Sequence, residues 1–424
     1  MSEAGVQHAT VQPRIVVLST LFPHPGQPNA GVFIRERMFR VGKRVPLVVV
    51  APVPWFPFQS LLRLIKPHFR PDAPRVEVQQ NVTVYHPRFL CVPGFLKNFD
   101  GLFMALGCYR TLQRLKREFN FNLIDSHFAY PDGYAATWLG RWFKVPVTIT
   151  LRGTEVPQSK AGRAGHILTA LNRASRVFSV AESLRRHVAE LGADASNVVV
   201  VGNGVDTQKF TAIDRMAARS QLGIKPADKV LVSVGGLVER KGFHRVIPLL
   251  PELRKEFPEL KFLIVGGASA EGDWTLRLQD LARAQGVDDI VQFLGPMPSE
   301  RLTVPLSAAD VFVLATSNEG WANVFLEAMA CGLPVITTDV GGNREVVSSS
   351  VVGNVVPFGD AQALKNALST ALAKSWDRAA IVRYAHDNEW EGRVDTLVHE
   401  FSVLVQGQSS GAGSYDRSAT GASL

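Results

Sequence analysis

Ser317-Asn318-Glu319-Gly320-Trp321-Ala322-Asn323-Val324-Phe325-Leu326-Glu327-Ala328-Met329-Ala330-Cys331-Gly332-Leu333-Pro334-Val335-Ile336-Thr337-Thr338-Asp339-Val340-Gly341-Gly342-Asn343-Arg344-Glu345 is the stretch on which the reading of this chain turns. The apolar run Val311 to Leu314 leads into it as a strand and gives way to a polar loop ending at Glu319-Gly320. The spacing predicts a helix from about Ala322 to Cys331, stopped by Gly332, with Pro334 opening the next apolar strand. The unit is strand, loop, helix, strand. It carries two carboxylates, Glu319 at the helix mouth and Glu327 inside the helix, one turn after Asn323.

The same alternation extends in both directions. Toward the N-terminus, Val230 to Val234, Leu260 to Val265 and Ile290 to Leu294 read as buried strands; beyond the stretch, Val335 to Thr338 and Val352 to Val356 do the same. Gly202-Asn203-Gly204-Val205-Asp206 is a turn cluster at mid-chain and is taken as a domain junction. Before it, Arg14 to Ser19, Leu47 to Ala51, Asn122 to Asp125, Val147 to Leu151, Arg176 to Val180 and Val198 to Val201 give six or seven strands alternating with helical segments. The expected fold class is α/β: two doubly wound, Rossmann-like domains facing across a cleft. The expected boundaries are 1–204 for a first domain and 205–375 for a second (the acceptor-side and donor domains in the reading reached below), 376–406 for a helical stretch and 407–424 for a Gly/Ser-rich disordered tail.

Composition narrows the function classes. An apolar fraction of 46% and a charged fraction of 20% over 424 residues are those of a globular protein of two or three domains. Cys91, Cys108 and Cys331 are scattered and give no disulfide framework or zinc spacing, which fits a reducing compartment. No secretory leader and no membrane-spanning run is read. The formal charge of +8 is uneven: residues 1–200 hold 25 Lys and Arg against 12 Asp and Glu, so +13, and the rest 21 against 26, so −5. The basic half suits an anionic partner, such as phospholipid or a phosphate-bearing substrate; a plain solvated surface explains it equally well. Pro52 to Arg70 and Pro93 to Arg117 place basic residues beside aromatic ones. They read either as a membrane-surface face or, slightly favoured, as amphipathic helices packing inward.

Candidate site residues collect at strand ends, where open α/β sheets bind ligands. Gly235-Gly236-Leu237-Val238-Glu239-Arg240-Lys241-Gly242 follows a strand and precedes a helix, so Arg240 and Lys241 set two cations at a helix mouth above a low glycine loop. Such a site can neutralise a diphosphate without metal. Glu327 is expected to hold a ribose and Glu319 a second sugar, because a carboxylate accepts two hydroxyl donors at once. The backbone of Gly320, Trp321, Ala322, Asn323 and Val324 belongs with them at the helix start. In the first half, Gly31 in the loop after the first strand, His127 and Arg152 occupy the same kind of position. No G-x-G-x-x-G follows the first strand, which argues against a dinucleotide-dependent oxidoreductase.

Glu319 and Glu327 with seven residues between them, then Ala328-Met329-Ala330-Cys331-Gly332-x-Pro334-Val335 and Gly341-Gly342, resemble the donor-site signature of glycosyltransferase family 4. Asn203-Gly204-Val205-Asp206, Phe210, Lys241-Gly242 and His127 with Pro131-Asp132-Gly133 agree with it. The resemblance implies the GT-B fold with a last helix crossing back to the first domain, and retaining transfer from a nucleotide sugar, UDP-linked by family usage, to a glycan, lipid-linked or other hydroxyl acceptor. It implies that Glu327 binds ribose, that Glu319 positions the donor sugar, that Lys241 and an arginine neutralise the leaving diphosphate, and that His127 lies near donor sugar and acceptor. Two positions depart from the pattern: Gly236 stands where many members have Arg, so Arg240 is the expected substitute, and Arg152 stands where many have His. No metal or other cofactor is expected and no nucleic acid partner; the expected location is cytoplasmic, either free or peripheral on the inner face of an anionic membrane. A nucleotide-sugar epimerase of the same architecture and a non-catalytic sugar-nucleotide or membrane-surface binding protein are the competing readings.

Overall fold

The buried apolar runs build two parallel sheets, each in its own compact unit of a computed structural model. The structure describes residues 11–28, 30–57, 59, 71–94, 96–269 and 271–411. The first unit comprises Met1–Val180, Leu184–Val201 and Gly392–Leu424; the second comprises Ala181–Ser183 and Gly202–Glu391.

In the first unit the strands are β1 (Ile15–Leu18), β2 (Leu47–Val50), β3 (Val53–Trp55), β4 (Val76–Gln79), β5 (Val82–Tyr85), β6 (Arg88–Leu90), β7 (Leu123–His127), β8 (Val147–Leu151), β9 (Arg176–Ser179) and β10 (Val198–Val200). Eight of them form one sheet in the order β10-β9-β8-β7-β1-β2-β5-β4. All its neighbours are parallel except β4 and β5, so the expected parallel sheet ends in an antiparallel edge. That hairpin turns at Gln80 and Asn81, both at positive φ (47° and 68°), as a two-residue turn between right-twisted strands requires. β3 and β6 pair separately in a two-stranded parallel ribbon that continues from the carboxyl ends of β2 and β5. Cys91, Cys108 and Cys331 are buried and free.

The second unit holds β11 (Lys229–Val234), β12 (Leu260–Val265), β13 (Val291–Gly295), β14 (Val311–Leu314), β15 (Val335–Thr338) and β16 (Gly353–Val356), in the order β13-β12-β11-β14-β15-β16. Every pairing is parallel. The two-residue period of a strand sends alternate side chains to opposite faces. Phe312 and Leu314 therefore join one core with Phe325, Leu326 and Met329, while Val311 and Val313 join another with Phe262 and Leu368. A sheet buried on both faces must read as an unbroken apolar run, which is why these strands stand out in the sequence.

The chain enters and leaves the second unit side by side. Val205 N–H donates to Asn388 O at 3.1 Å, and Val205 bridges to Glu389. The helix Arg378–His386 stays with the second unit because Ile381 and Ala385 belong to its core, so the return begins at Gly392 rather than at 376. The helix Trp390–Gly411 then docks Phe401, fully buried, edge-on against Phe178 at 5.6 Å. Arg176 Nε donates to Glu400 at 2.9 Å beside it. This helix runs through residues 407–411, part of the stretch read as a disordered tail; residues 412–424 lie outside the described ones.

Candidate functional site

The loop after β14 is held in place by close backbone crossings. Gly242, at φ 79°, lies where a Cβ would stand 1.8 Å from Ala315 O, and Gly341, at φ 52°, where one would stand 1.7 Å from Glu319 O. Only glycine fits such approaches. Ser317 N–H donates to Arg240 O at 2.8 Å and Gly342 N–H to Glu319 O at 3.3 Å. The Thr338 hydroxyl donates to Thr316 O at 2.5 Å. Residues 315–320 are thus tied on one side to the β11 loop and on the other to the β15 loop.

The side chains of Glu319, Arg240 and Lys241 converge there. Lys241 Nζ donates to Glu319 Oε1 at 2.6 Å, and Arg240 Nη1 donates to the same oxygen at 3.0 Å and to Asn318 O at 3.0 Å. The Thr316 hydroxyl donates to that oxygen at 3.3 Å. The other edge of the Arg240 guanidinium is taken by Glu271, at 2.9 and 2.6 Å. That pairing raises the pKa of Arg240 and lowers that of Glu271. Two cations therefore meet two carboxylates, so the cluster is balanced rather than simply positive. The partners differ in cover: the Glu319 side chain is 10% exposed and that of Glu271 50%. Lys241 gives one of its three donors to Glu319. Gly235 leaves room for its stem, since a Cβ there would touch Lys241 Cδ and Cε at 3.4 Å. A Cβ at Gly236 would meet Ser269 Cβ at 3.1 Å.

The expected helix after this loop is broken. Pro248 and Pro251 divide it into short pieces, Phe243–Val246, Ile247–Leu249 and Leu250–Glu256, so a helix dipole adds little behind Lys241. The helix carrying Glu327 is whole and spans Asn323–Ala330, with Ala322 at its start and no side-chain cap. Phe325, Leu326, Ala328 and Met329 are buried, and Glu327 is half-buried beside Cys331, whose thiol is pushed up to about 12 by burial and then by the Glu327 charge. The mid-chain turn supports this helix. Asn203 Nδ2 donates to Asn323 Oδ1 at 2.9 Å, and Gly202 lies under the Trp321 ring, where a Cβ would stand 2.6 Å from Cη2. Asn323 is among the expected site residues and Asn203 belongs to the family pattern, but their bond and the part played by Glu271 carry no signal in the local sequence, since each joins residues more than thirty positions apart.

In the first unit, His127 closes β7 and is fully buried. Arg152 donates to its Nδ1 from Nε at 3.2 Å, and Nη2 lies 3.1 Å from it, which leaves the proton on Nε2, 3.5 Å from Asp125 Oδ2. Burial, then the Arg152 and Arg37 charges, hold His127 well below its ordinary pKa, so the ring is neutral. Arg152 is itself lowered by burial and then by Arg37. Glu155, fully buried, accepts from the backbone N–H groups of Ala129, Arg152 and Gly153 at 3.1, 3.2 and 2.8 Å. Asp132, buried, accepts from the Thr20 backbone and hydroxyl, and burial pushes its pKa up to about 7. Gly31 precedes the helix Val32–Gly42 at φ 66°, 2.2 Å from Leu21 O if it bore a Cβ. Arg37 was not singled out from sequence; it is fully buried, and its Nη2 donates to Val201 O at 3.0 Å.

The family model for glycosyl transferases group 1 matches residues 214–388, and that for glycosyltransferase family 4 matches residues 65–209. A D-inositol 3-phosphate glycosyltransferase of Geodermatophilus obscurus is 31% identical over 361 residues, which is 78% of each chain. The chain belongs to glycosyltransferase family 4. This glycosyltransferase is also 28% identical, over 91% of its length and 93% of the other chain, to TuaC of Bacillus subtilis, named as a teichuronic acid biosynthesis glycosyltransferase. Among solved structures it is similar to HepE of Anabaena in complex with UDP, at a TM-score of 0.71 and 20% identity over 92% of this chain and 100% of that one. Sucrose-phosphate synthase of Thermosynechococcus elongatus gives 0.69 and 21% over 95% and 99%. These likenesses establish the fold of this glycosyltransferase as GT-B, with two α/β domains built on parallel sheets.

Proposed function

We propose that this glycosyltransferase moves a sugar, with retention, from a nucleotide sugar to a hydroxyl of a glycan or lipid-linked acceptor in the building of cell-surface polysaccharide or glycolipid. The observation that carries the reading is the convergence of Lys241 and Arg240 on one oxygen of Glu319 at the carboxyl ends of β11 and β14. A UDP-linked donor is favoured, in line with the UDP complex of HepE, and the envelope role with the name of TuaC. Glu327 is assigned the ribose, and Glu319 with the backbone of Gly320 to Val324 the donor sugar. Gly235 and Gly236 keep the diphosphate close to the loop.

Lys241 and Arg240 take the charge that grows on the leaving diphosphate, which is worth most in a water-poor site. Glu271 is the replaceable partner: half exposed, it swings from Arg240 when a phosphate competes for the guanidinium. The acceptor hydroxyl attacks on the face from which the diphosphate leaves. Its proton passes to the departing phosphate oxygen as the new glycosidic bond forms and the old one breaks, so positioning and electrostatics carry the catalysis. Gly31 and Arg152 mark the acceptor side. His127, neutral and covered, is assigned to orient Arg152 rather than to carry a proton. Metal is not needed for charge neutralisation, and the enzyme works at the inner face of the membrane.

The test is binding and slow hydrolysis of UDP-, GDP- and ADP-sugars with chelator present, for the natural chain and Glu327→Ala. One nucleotide is expected to bind selectively and to bind 10- to 100-fold more weakly in the variant. Failure of every nucleotide sugar to bind, with or without magnesium, overturns the reading.

A further inference from the structure

A second place in the first unit, away from the residues assigned above, joins charge to hydrocarbon-like surface. The β3–β6 ribbon pairs Val53 with Arg88 and Trp55 with Leu90. In β6 Arg88 and Leu90 are exposed while Phe89 is buried, so the outward face carries a cation followed by an apolar pair. The helix Asp100–Glu118 lies against β6. Gly107 permits the approach, because a Cβ there would stand 2.6 Å from Arg88 O. Phe103, Leu106, Arg110 and Arg114 recur at helical spacing, and only Phe103 of these is part-buried. This stripe repeats the order of the ribbon: apolar at one end, cationic at the other.

Two adjoining recesses follow this gradient. One, of about 420 Å³, is lined by Trp55, Arg75, Arg88, Arg110 and Arg114. Arg114 is engaged by Glu118 at 2.8 and 2.9 Å. The side chains of Arg75, Arg88 and Arg110 have no hydrogen bond or ion pair among the described residues. Among the described residues the acidic one on this wall is Asp72, which is itself partnered, and Gln59, buried, adds a side-chain oxygen without a partner among them. The other recess, of about 480 Å³, is lined by Leu90, Phe103 and Leu106 and shares Trp55 and Arg88 with the first. Leu106 is 56% exposed and Trp55 37%. Isolated exposed apolar residues need no explanation, whereas a contiguous set beside unpaired cations does.

We propose that the two recesses together hold one molecule of a lipid phosphate, its anionic head among Arg75, Arg88 and Arg110 and its first carbons along Trp55, Leu90 and Leu106. Arginine suits the head because its planar fork pairs with phosphate oxygens in two-point fashion. Trp55 and Arg88 stand where head and chain meet, and an indole serves such a boundary. The inference does not depend on the transfer reading, since binding is measured with no donor present.

The experiment is calorimetric titration of the full chain with dodecyl phosphate below its micelle concentration, with inorganic phosphate and dodecyl maltoside as comparators. Saturable one-to-one binding of dodecyl phosphate is expected, at least tenfold tighter than either comparator. Arg88→Gln and Arg110→Gln should each weaken it about tenfold, and Leu106→Asp, at an exposed position, similarly, with an unchanged melting temperature in all three. Equal binding of dodecyl maltoside would mean a hydrophobic patch without head recognition. Equal binding of inorganic phosphate would mean an anion site without a chain. Binding only to phosphatidylglycerol vesicles would mean a membrane surface in place of a single lipid. Each of these results, or indifference to the arginine substitutions, overturns the proposal.

Discussion

The carboxyl ends of the two sheets carry the same ingredients, a carboxylate with two cationic or ionisable partners, and arrange them in opposite ways. Beside β14, Glu319 gathers Lys241 and Arg240 in a cluster that is charge-balanced and partly open to water. Beside β7, His127, Arg152 and Arg37 are buried, and the pKa values of all three are pushed down by burial. One cluster keeps its charges and can exchange partners with an incoming anion. The other has a neutral imidazole and backbone N–H groups capped by Glu155. Position at a strand end therefore nominates a residue, and desolvation decides whether it meets a ligand or supports the edge.

The comparison breaks most readily at Lys241. Lys241→Ala should lower kcat for sugar transfer by about 10²- to 10³-fold with the melting temperature nearly unchanged. Arg152→Ala should destabilise the first unit in addition to any loss on the acceptor side, because it strips the partner from a buried His127. If steady-state kinetics and thermal melts showed the reverse assignment, the contrast would collapse. Next in size is Gly341→Ala. Its Cβ would run into Glu319 O, so the loop must shift, and a loss of about 2–3 kcal/mol in stability with at least a tenfold loss in activity is expected.

Asp132 sharpens the first-unit side. Its pKa is near 7 when folded against an ordinary 3.8, so the folded state holds the proton more tightly. That stabilisation is complete below about 3.8 and is lost as pH rises through 7. Asp125, pushed up to about 6 by burial, adds a slope of the same sign, and His127 opposes it. Asp132→Asn removes one component, so denaturant unfolding at pH 5 and pH 8 should show a smaller drop in the variant, by up to about 3 kcal/mol. An identical drop in both proteins would show that Asp132 titrates normally. The smallest effect is expected at Arg240→Ala, about tenfold in kcat, since Lys241 remains on Glu319; an intact rate would remove Arg240 from the site.

The inner strands of the second unit were legible because burial on both faces keeps them largely apolar, wholly so in Val311–Leu314. The β4–β5 hairpin was not read, although Val76, Val78, Val82 and Val84 alternate with polar residues. Its turn, Gln80-Asn81, lacks the glycine that usually marks one, and positive φ at glutamine leaves no compositional trace. At the site, Glu319, Lys241 and Glu327 could be nominated from local pattern. Glu271 and the Asn203–Asn323 bond could not, because their meaning arises only when distant loops meet. The break in the helix after Gly242 is marked in the sequence by Pro248 and Pro251, which interrupt a pattern otherwise helical. Residues Arg63, Lys66, His68 and Arg70 of the basic aromatic segment, and Phe95, lie outside the described residues. The helix Asp100–Glu118 packs inward through Met104, Ala105, Cys108, Leu112 and Leu115, as the slightly favoured reading has it, while Phe99 just before it is 50% exposed.

The bridge between Val205 and Glu389 places the first and last turns of the second unit in contact, with Gly204 against the Trp390 backbone. In topological language the main span of the second unit, residues 202–391, is an insertion between two stretches of the first, and it begins and ends at paired positions. Because its ends already touch, closing it costs almost no further loop entropy. Residues 202–391 therefore have the paired ends of a segment that genetic exchange can move as one piece.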